Sequence, residues 1–132
     1  MTENNMEKRN VTFLALLEAA KREEWGLVDD NVGKLELTEE RLKWILTVGI
    51  FDKDKNIRDF SATLLDQSDI VLTRGDLEFL EERMMEDSYD IVQYRLAIAL
   101  YKRDYQTAEV EEMMQKAKDD PNVGEEAKKY LK

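Results

Sequence analysis

The stretch DKDKN places acidic or amide oxygens at every second residue, which is how a calcium-binding loop begins. Asp52, Asp54 and Asn56 fit the first, third and fifth positions of such a loop. The sixth position needs a sharp turn and favours glycine, and the twelfth needs a bidentate glutamate. Ile57 and Thr63 stand there instead, so the sequence predicts no metal site. We expect the short polar side chains to turn the chain and cap the next helix.

A second acidic cluster lies in EFLEERMMED, where glutamates recur at helical spacing at Glu78, Glu81, Glu82 and Glu86. Helical bundles that hold two metal ions combine such glutamates with a Glu-x-x-His pattern. The chain has no histidine and no cysteine, which removes imidazole bases, thiol nucleophiles and the usual zinc and iron ligands. A solvated helix face is the expected structure. An enzyme or enzyme subunit that uses carboxylates, with or without a metal, stays open as the alternative function.

The charge balance argues against nucleic-acid and membrane partners. The net charge of the 132 residues is −10, and 20 basic residues are interspersed among 30 acidic ones. A protein that binds a phosphate backbone needs a basic stripe, and none is visible. No apolar run has the length of a membrane span, and no secretory signal is expected. The sequence therefore predicts a cytoplasmic protein with no cofactor and no small-molecule substrate.

The apolar spacing predicts a chain made of helices. Apolar residues recur at threes and fours, and one proline with five glycines gives little punctuation for an all-β protein. We expect a helix in VTFLALLEAAKREEW, a less regular connector over about residues 25–37, and six short helices after it. The expected ranges of these six helices are 39–51, 56–67, 74–86, 89–103, 107–118 and 122–131.

Two stretches of the chain match each other at one constant offset, LTEERLKWILTVGIFD at 37–52 and LTRGDLEFLEERMMED at 72–87. The match continues into the next expected helix and preserves the turns, which helical periodicity alone would not do. The sequence therefore predicts a tandem repeat of a two-helix unit. The paired residues include Leu37 with Leu72, Thr38 with Thr73, Leu42 with Leu77, Asp52 with Asp87, Ile57 with Val92, and Leu65 with Leu100.

A third copy follows in shortened form, as expected of a terminal capping unit. Its residues are Val110, Met113 and Ala117, in the places of Leu77, Leu80 and Met84, and then Val123, Ala127 and Leu131, in the places of Val92, Leu96 and Leu100.

Three of the expected helices have a capping residue at their start. Thr38 and Thr73 are expected N-caps of the first helices of their copies. Near the end of the chain, Asp120 is the expected N-cap of the last helix, with Pro121 at its first position.

The turn and second helix of the first copy follow a pattern of aspartate, then Ile-Arg, then small residues and a leucine. These residues are Asp54, Ile57, Arg58, Ser61, Ala62 and Leu65. The pattern resembles the second helix of a HEAT-like repeat, in which an aspartate precedes Val-Arg, a small residue and a leucine. At the arginine position the second copy has Gln93 and the third has Gly124, so a regular Asp–Arg ladder is not expected. The resemblance covers about residues 37–132.

This resemblance implies an all-α fold, a short right-handed α-α superhelix of two-helix HEAT-like repeats. It implies a single domain over residues 1–132, whose parts are an N-terminal helix with connector at 1–36, repeats at 37–71 and 72–105, and a capping repeat at 106–132. The first helices would lie on the outer face and the second helices on the inner, concave face. Because such proteins mostly bind proteins or peptides, the resemblance implies a non-enzymatic interaction module or scaffold with a protein partner.

The second helix of the second copy carries an additional apolar stripe, in which residues recur at steps of four, three and four on the side opposite the expected core. One explanation is that this helix is central and packs on both sides. The other is a tyrosine-lined groove that receives a partner, since tyrosine offers a large contact area at a small entropic cost. The predicted partner-binding residues are Tyr94, Ile98, Tyr101 and Tyr105 in the stripe, and Arg58, Gln93 and Arg95 beside it.

Overall fold

The computed structural model of the chain describes residues 12–131, and this part contains α-helices and two short 3₁₀-helices but no strand. The prediction of an all-α chain is confirmed. The 3₁₀-helices are Val32–Lys34 and Gly49–Phe51. The α-helices are α1 Phe13–Lys21, α2 Trp25–Asn31, α3 Glu39–Thr47, α4 Lys55–Asp66, α5 Arg74–Glu86, α6 Asp90–Tyr101, α7 Ala108–Ala117 and α8 Gly124–Tyr130.

The helices form two compact units, of which the N-terminal unit ends at Ser68 and the C-terminal unit begins at Asp69. The division lies close to the predicted boundary between the first and second copies of the repeat, after residue 71. The expectation that both belong to a single domain stays a prediction.

Aromatic side chains fill the centre of the N-terminal unit, where α1 packs against α4. The ring of Phe13 lies edge-on to that of Trp44 at 5.0 Å between centroids, and 5.7 Å from the fully buried ring of Phe60. Edge-to-face contacts of this kind are favourable because the positive ring edge meets the negative ring face.

The turn after α3 requires glycine at position 49. A Cβ there would collide with the Ser61 hydroxyl and lie 2.6 Å from the Trp44 ring.

Helix α2 occupies part of the segment expected to be an irregular connector. Its sequence, WGLVDDN, contains residues of low helix propensity, which is why the pattern did not predict it. Tertiary packing stabilises this helix despite its low propensity, because α2 packs against α1 and its Val28 is fully buried.

Helix α6 is the central element of the C-terminal unit, because α5, α7 and α8 all pack against it. A helix that contacts neighbours on several sides carries apolar residues all round, and this accounts for the additional stripe of α6. The fully buried side chains of the unit include Leu80 and Met84 of α5, Val92, Leu96, Ile98 and Leu100 of α6, and Val110 and Met114 of α7.

Aspartate side chains hold the turns that precede the second helices of the predicted copies. Through Oδ1, Asp52, Asp87 and Asp120 each accept a hydrogen bond from the backbone N–H two residues further along, at 2.9, 2.9 and 2.7 Å. Asp54 accepts the N–H of Asn56 in the same way and caps α4. The oxygens of DKDKN thus bind backbone N–H groups, and the prediction that they turn the chain and cap a helix is confirmed.

Threonine hydroxyls cap the helices that begin each predicted copy. Thr38 and Thr73 accept backbone N–H groups at the starts of α3 and α5, as predicted, and Thr107 does the same for α7. Met114 lies as far from Thr107 as Leu80 lies from Thr73, and it is fully buried. Met114 therefore takes the core position of the third copy that the sequence assigned to Met113, which is half-buried.

The last helix begins later than predicted. Helix α8 starts at Gly124, and its cap residue is Val123, so the assignment of Asp120 as N-cap and Pro121 as first helical residue is wrong. Asp120 instead holds the turn that leads into α8. A Cβ at residue 124 would lie 2.6 Å from the carbonyl oxygen of Lys118, so the close approach of the backbone favours glycine at this position.

Two helices end with a residue in the left-handed conformation that glycine usually occupies. Glu23 follows α1 with φ of 61°, and Asp104 follows α6 with φ of 63°. The N–H of Glu24 bonds the carbonyl oxygen of Ala19 at 2.9 Å, and the N–H of Tyr105 bonds that of Leu100 at 3.1 Å. Both ends are Schellman motifs, and the second sends the chain from α6 towards α7.

Candidate partner-binding surface

The predicted partner-binding residues of α6 and of the loop after it do not form one open surface. Ile98 is fully buried and Tyr105 is 8% exposed, so a partner could not reach either side chain while the C-terminal unit is folded. Tyr94, Tyr101 and Arg95 are half-buried. A role of the two half-buried tyrosines in binding stays a prediction.

Two of the flanking residues bind the backbone that precedes their own helix. The Nη1 of Arg58, in the N-terminal unit, donates hydrogen bonds to the carbonyl oxygens of Asp52 at 2.8 Å and Lys53 at 3.1 Å. The Nε2 of Gln93, in the C-terminal unit, donates to the carbonyl oxygen of Met84 at 3.1 Å. These bonds tie α4 and α6 to the backbone that precedes each of them, so both side chains have a structural role within their units.

Tyr94 stands in an acidic environment at the start of α6. Burial raises the pKa of its phenol, and the negative charges of Asp90 and Asp120 raise it further. Its hydroxyl group therefore stays protonated through neutral pH and offers a hydrogen-bond donor.

Residues of α5 and α7 line an apolar depression of about 140 Å³ that the sequence did not predict. Its lining residues, which define what we call the methionine groove, are Met84, Met85, Glu109, Glu112 and Met113. Met84 is fully buried, Met113 is half-buried, and Met85 is 55% exposed. The groove therefore combines a buried apolar wall with accessible methionine side chains on both helices.

The charged residues of the groove are all acidic. Glu109 and Glu112 are exposed and belong to α7. The Oε2 atom of Glu112 lies 3.8 Å from Nζ of Lys116. This ion pair is exposed to solvent and therefore contributes little stability. Glu109 forms no ion pair with any residue that the structure describes. The groove therefore presents an apolar surface beside the unpaired negative charge of Glu109.

The sequence did contain a signal for this groove. Four of the six methionines occur as the adjacent pairs Met84-Met85 and Met113-Met114. In each pair one member is fully buried, Met84 in α5 and Met114 in α7, and its neighbour lies at the groove. Adjacent helical residues point about 100° apart, so a pair of methionines on a helix serves the core and the surface beside it.

Residues 12–131 contain no cluster of three or more acidic side chains placed to hold a metal ion. Within the same range, no helix has the length and apolar content needed to cross a bilayer. In comparisons with known proteins, no family model, no curated protein and no solved structure matches this chain.

Proposed function

We propose that this chain is a non-enzymatic protein–protein interaction module, built as a short right-handed superhelix of HEAT-like repeats. The recurring local structure supports the repeat: threonine caps begin α3, α5 and α7, and aspartate-held turns precede the second helix of each copy. Matching hydrogen bonds at matching positions are what a duplicated two-helix unit would retain.

The methionine groove is the observation that carries the binding function. Methionine is unbranched and polarisable, so it adapts its shape to an incoming side chain. Surfaces that bind protein segments often use methionine for this reason. Met85 is 55% exposed on α5. When a partner covers a large apolar side chain of this kind, its removal from water contributes favourably to the free energy of binding.

The groove lies on the first helices of the second and third copies, whereas the resemblance implies binding through the second helices. We propose that the partner binds α5 and α7, because two of the four stripe residues, Ile98 and Tyr105, are buried and cannot contact a partner. Tyr94 and Tyr101 are the positions at which the second-helix surface can still be tested, since both are half-buried.

Site-directed photocrosslinking in the native cells tests this proposal. A photoreactive residue replaces Met85 in one variant and Val71, which is 88% exposed in the same unit, in the control. We expect a discrete protein adduct from position 85 and none from position 71. The same products from both positions, or none from position 85, would contradict binding at the groove. If a photoreactive residue in place of Tyr101 gives a discrete partner adduct and one at position 85 gives none, the binding surface is α6.

A further inference from the structure

We propose that the methionine groove binds a basic protein segment that inserts one bulky apolar side chain, leucine or phenylalanine, between flanking lysines or arginines. This inference rests on the proposed binding function and adds the chemistry of the partner.

The size of the groove sets the apolar part of this recognition. A cavity of about 150 Å³ with apolar walls accommodates a benzene molecule. The methionine groove is an open depression of about 140 Å³, a volume that matches a single leucine or phenylalanine side chain. Met84 supplies a wall that is already buried, and Met85 and Met113 can close on the inserted group by changing rotamers.

The charges around the groove determine which charged residues should flank the inserted side chain of the partner. Glu109 and Glu112 are the charged residues of the lining, and no lysine or arginine belongs to it. The whole chain carries a net charge of −10, which attracts basic segments and repels a second copy of itself. A basic flank would give Glu109 the ion pair that it does not form with the described residues. Charge complementarity therefore favours a basic partner over an acidic one or a homodimer.

A synthetic peptide provides the test. The probe is an amphipathic helical peptide of about 15 residues, made of lysine and alanine with one central leucine. One control peptide replaces the leucine with serine at unchanged charge, and a second replaces every lysine with glutamate. The full chain, labelled with ¹³C at its methionine methyl groups, reports where the peptide binds.

We expect the leucine peptide to bind about tenfold more tightly than the serine control, because burial of the leucine is lost there. The methyl signals of Met85 and Met113 should shift, while that of Met114, fully buried in the core, stays in place. The glutamate peptide should not bind. Raising the salt from about 50 to about 500 mM should weaken binding, because the charged groups are exposed.

Matched variants separate the apolar contribution from the charge. Met85→Ser should weaken binding of the leucine peptide about five- to tenfold, whereas Val71→Ser removes a similar exposed apolar group elsewhere and should have no effect. Glu109→Gln should weaken it about two- to fivefold. Glu125→Gln makes the same change of charge on α8, where its partner is Lys128, and should leave the affinity unchanged.

Several outcomes would overturn the proposal. These are equal affinity for the leucine and serine peptides, equal loss for Glu109→Gln and Glu125→Gln, or methyl signals that do not move. A chain that forms a dimer dispersed by the peptide would identify a second copy as the occupant and overturn it as well. If photocrosslinking at position 85 captures a partner but the basic peptide does not bind, the chemistry proposed here fails while the binding function stands.

Discussion

The hydroxyl group of Tyr105 donates a 2.8 Å hydrogen bond to Oε1 of Glu81, and thereby joins the loop after α6 to the middle of α5. The other oxygen of the same carboxylate accepts a hydrogen bond from the hydroxyl of Thr107. The guanidinium of Arg74 lies 5.5 Å from the centre of the Tyr105 ring. One carboxylate thus holds both the end of the α6–α7 loop and the cap residue of α7.

The hydrogen bond between Tyr105 and Glu81 makes the stability of the C-terminal unit depend on pH in the alkaline range. Burial raises the pKa of Tyr105, and the hydrogen bond and charge of Glu81 raise it further. The folded state then holds the phenolic proton more tightly than the unfolded state, so the stabilisation is complete below the ordinary tyrosine pKa of about 10. It is lost as pH rises from there through the raised value.

We expect the free energy of unfolding to fall as pH rises above about 10, the ordinary tyrosine pKa, and to fall less steeply in Tyr105→Phe. Urea unfolding at several pH values measures the slope, and phenolate absorbance follows the ionisation. Glu81→Gln keeps an acceptor but removes the charge, and should give an intermediate slope. Identical slopes in the original chain and Tyr105→Phe would contradict this assignment.

The threonine caps of α3 and α7 should differ in their contributions to stability. Thr38→Ala should cost about 1 kcal/mol, the usual value for a lost N-cap. Thr107→Ala should cost about 2 kcal/mol, because Glu81 also loses a hydrogen bond to its carboxylate. Chemical denaturation measures both, and Thr47→Ala, which removes an exposed hydroxyl bonded within α3, serves as the control. Equal losses at positions 38 and 107 would show that the bond to Glu81 contributes nothing.

Two glycines in helices should respond in opposite ways to alanine. Gly124→Ala places a Cβ 2.6 Å from the Lys118 carbonyl oxygen, and backbone there must move, so we expect a loss of about 1–3 kcal/mol. Gly75→Ala meets nothing nearer than Thr73 Oγ1 at 3.8 Å and should gain about 0.5 kcal/mol from higher helix propensity. Thermal unfolding of the two variants compares them directly. Similar effects of the two substitutions would contradict the close approach at Gly124.

The left-handed residues at the helix ends offer a stabilising change. Glu23 and Asp104 adopt φ values near 60°, where a side chain costs about 1–2 kcal/mol relative to glycine. We expect Glu23→Gly and Asp104→Gly to raise the free energy of unfolding by about 0.5–1 kcal/mol each. The control is Arg22→Gly at φ −90°, which should be destabilising because glycine only adds unfolded-state entropy there. A loss of stability in both left-handed variants would contradict the assignment of strain to these positions.

The sequence predicted the helices and caps that depend on local interactions. Thr38 and Thr73 cap the helices they were assigned to, because an N-cap bonds a backbone N–H only three residues away. The sequence did not predict α2, whose glycine and acidic residues have low helix propensity and which forms against α1. Such a helix is stabilised by tertiary contacts, and these contacts cannot be predicted from the residue pattern of a single sequence.

The surface was harder to predict than the helices. A helical wheel places Ile98 on the same side of α6 as Tyr94 and Tyr101, but it does not show which neighbours cover that side. Conversely, Met85 resembled a core residue by type, and its exposure depends on how α5 and α7 are placed around it. A groove is a property of two elements, so the residue pattern of one element cannot locate it.

The order of packing in the C-terminal unit also determines how fast it can form. Helix α6 contacts α5 before it and α7 after it, and α7 contacts α8, so most contacts join segments that are close in the chain. Closing such short loops costs little entropy, and helical proteins rich in local contacts fold in microseconds to milliseconds. Helices α6, α7 and α8 can therefore each dock on the helix before them as soon as their own residues have left the ribosome.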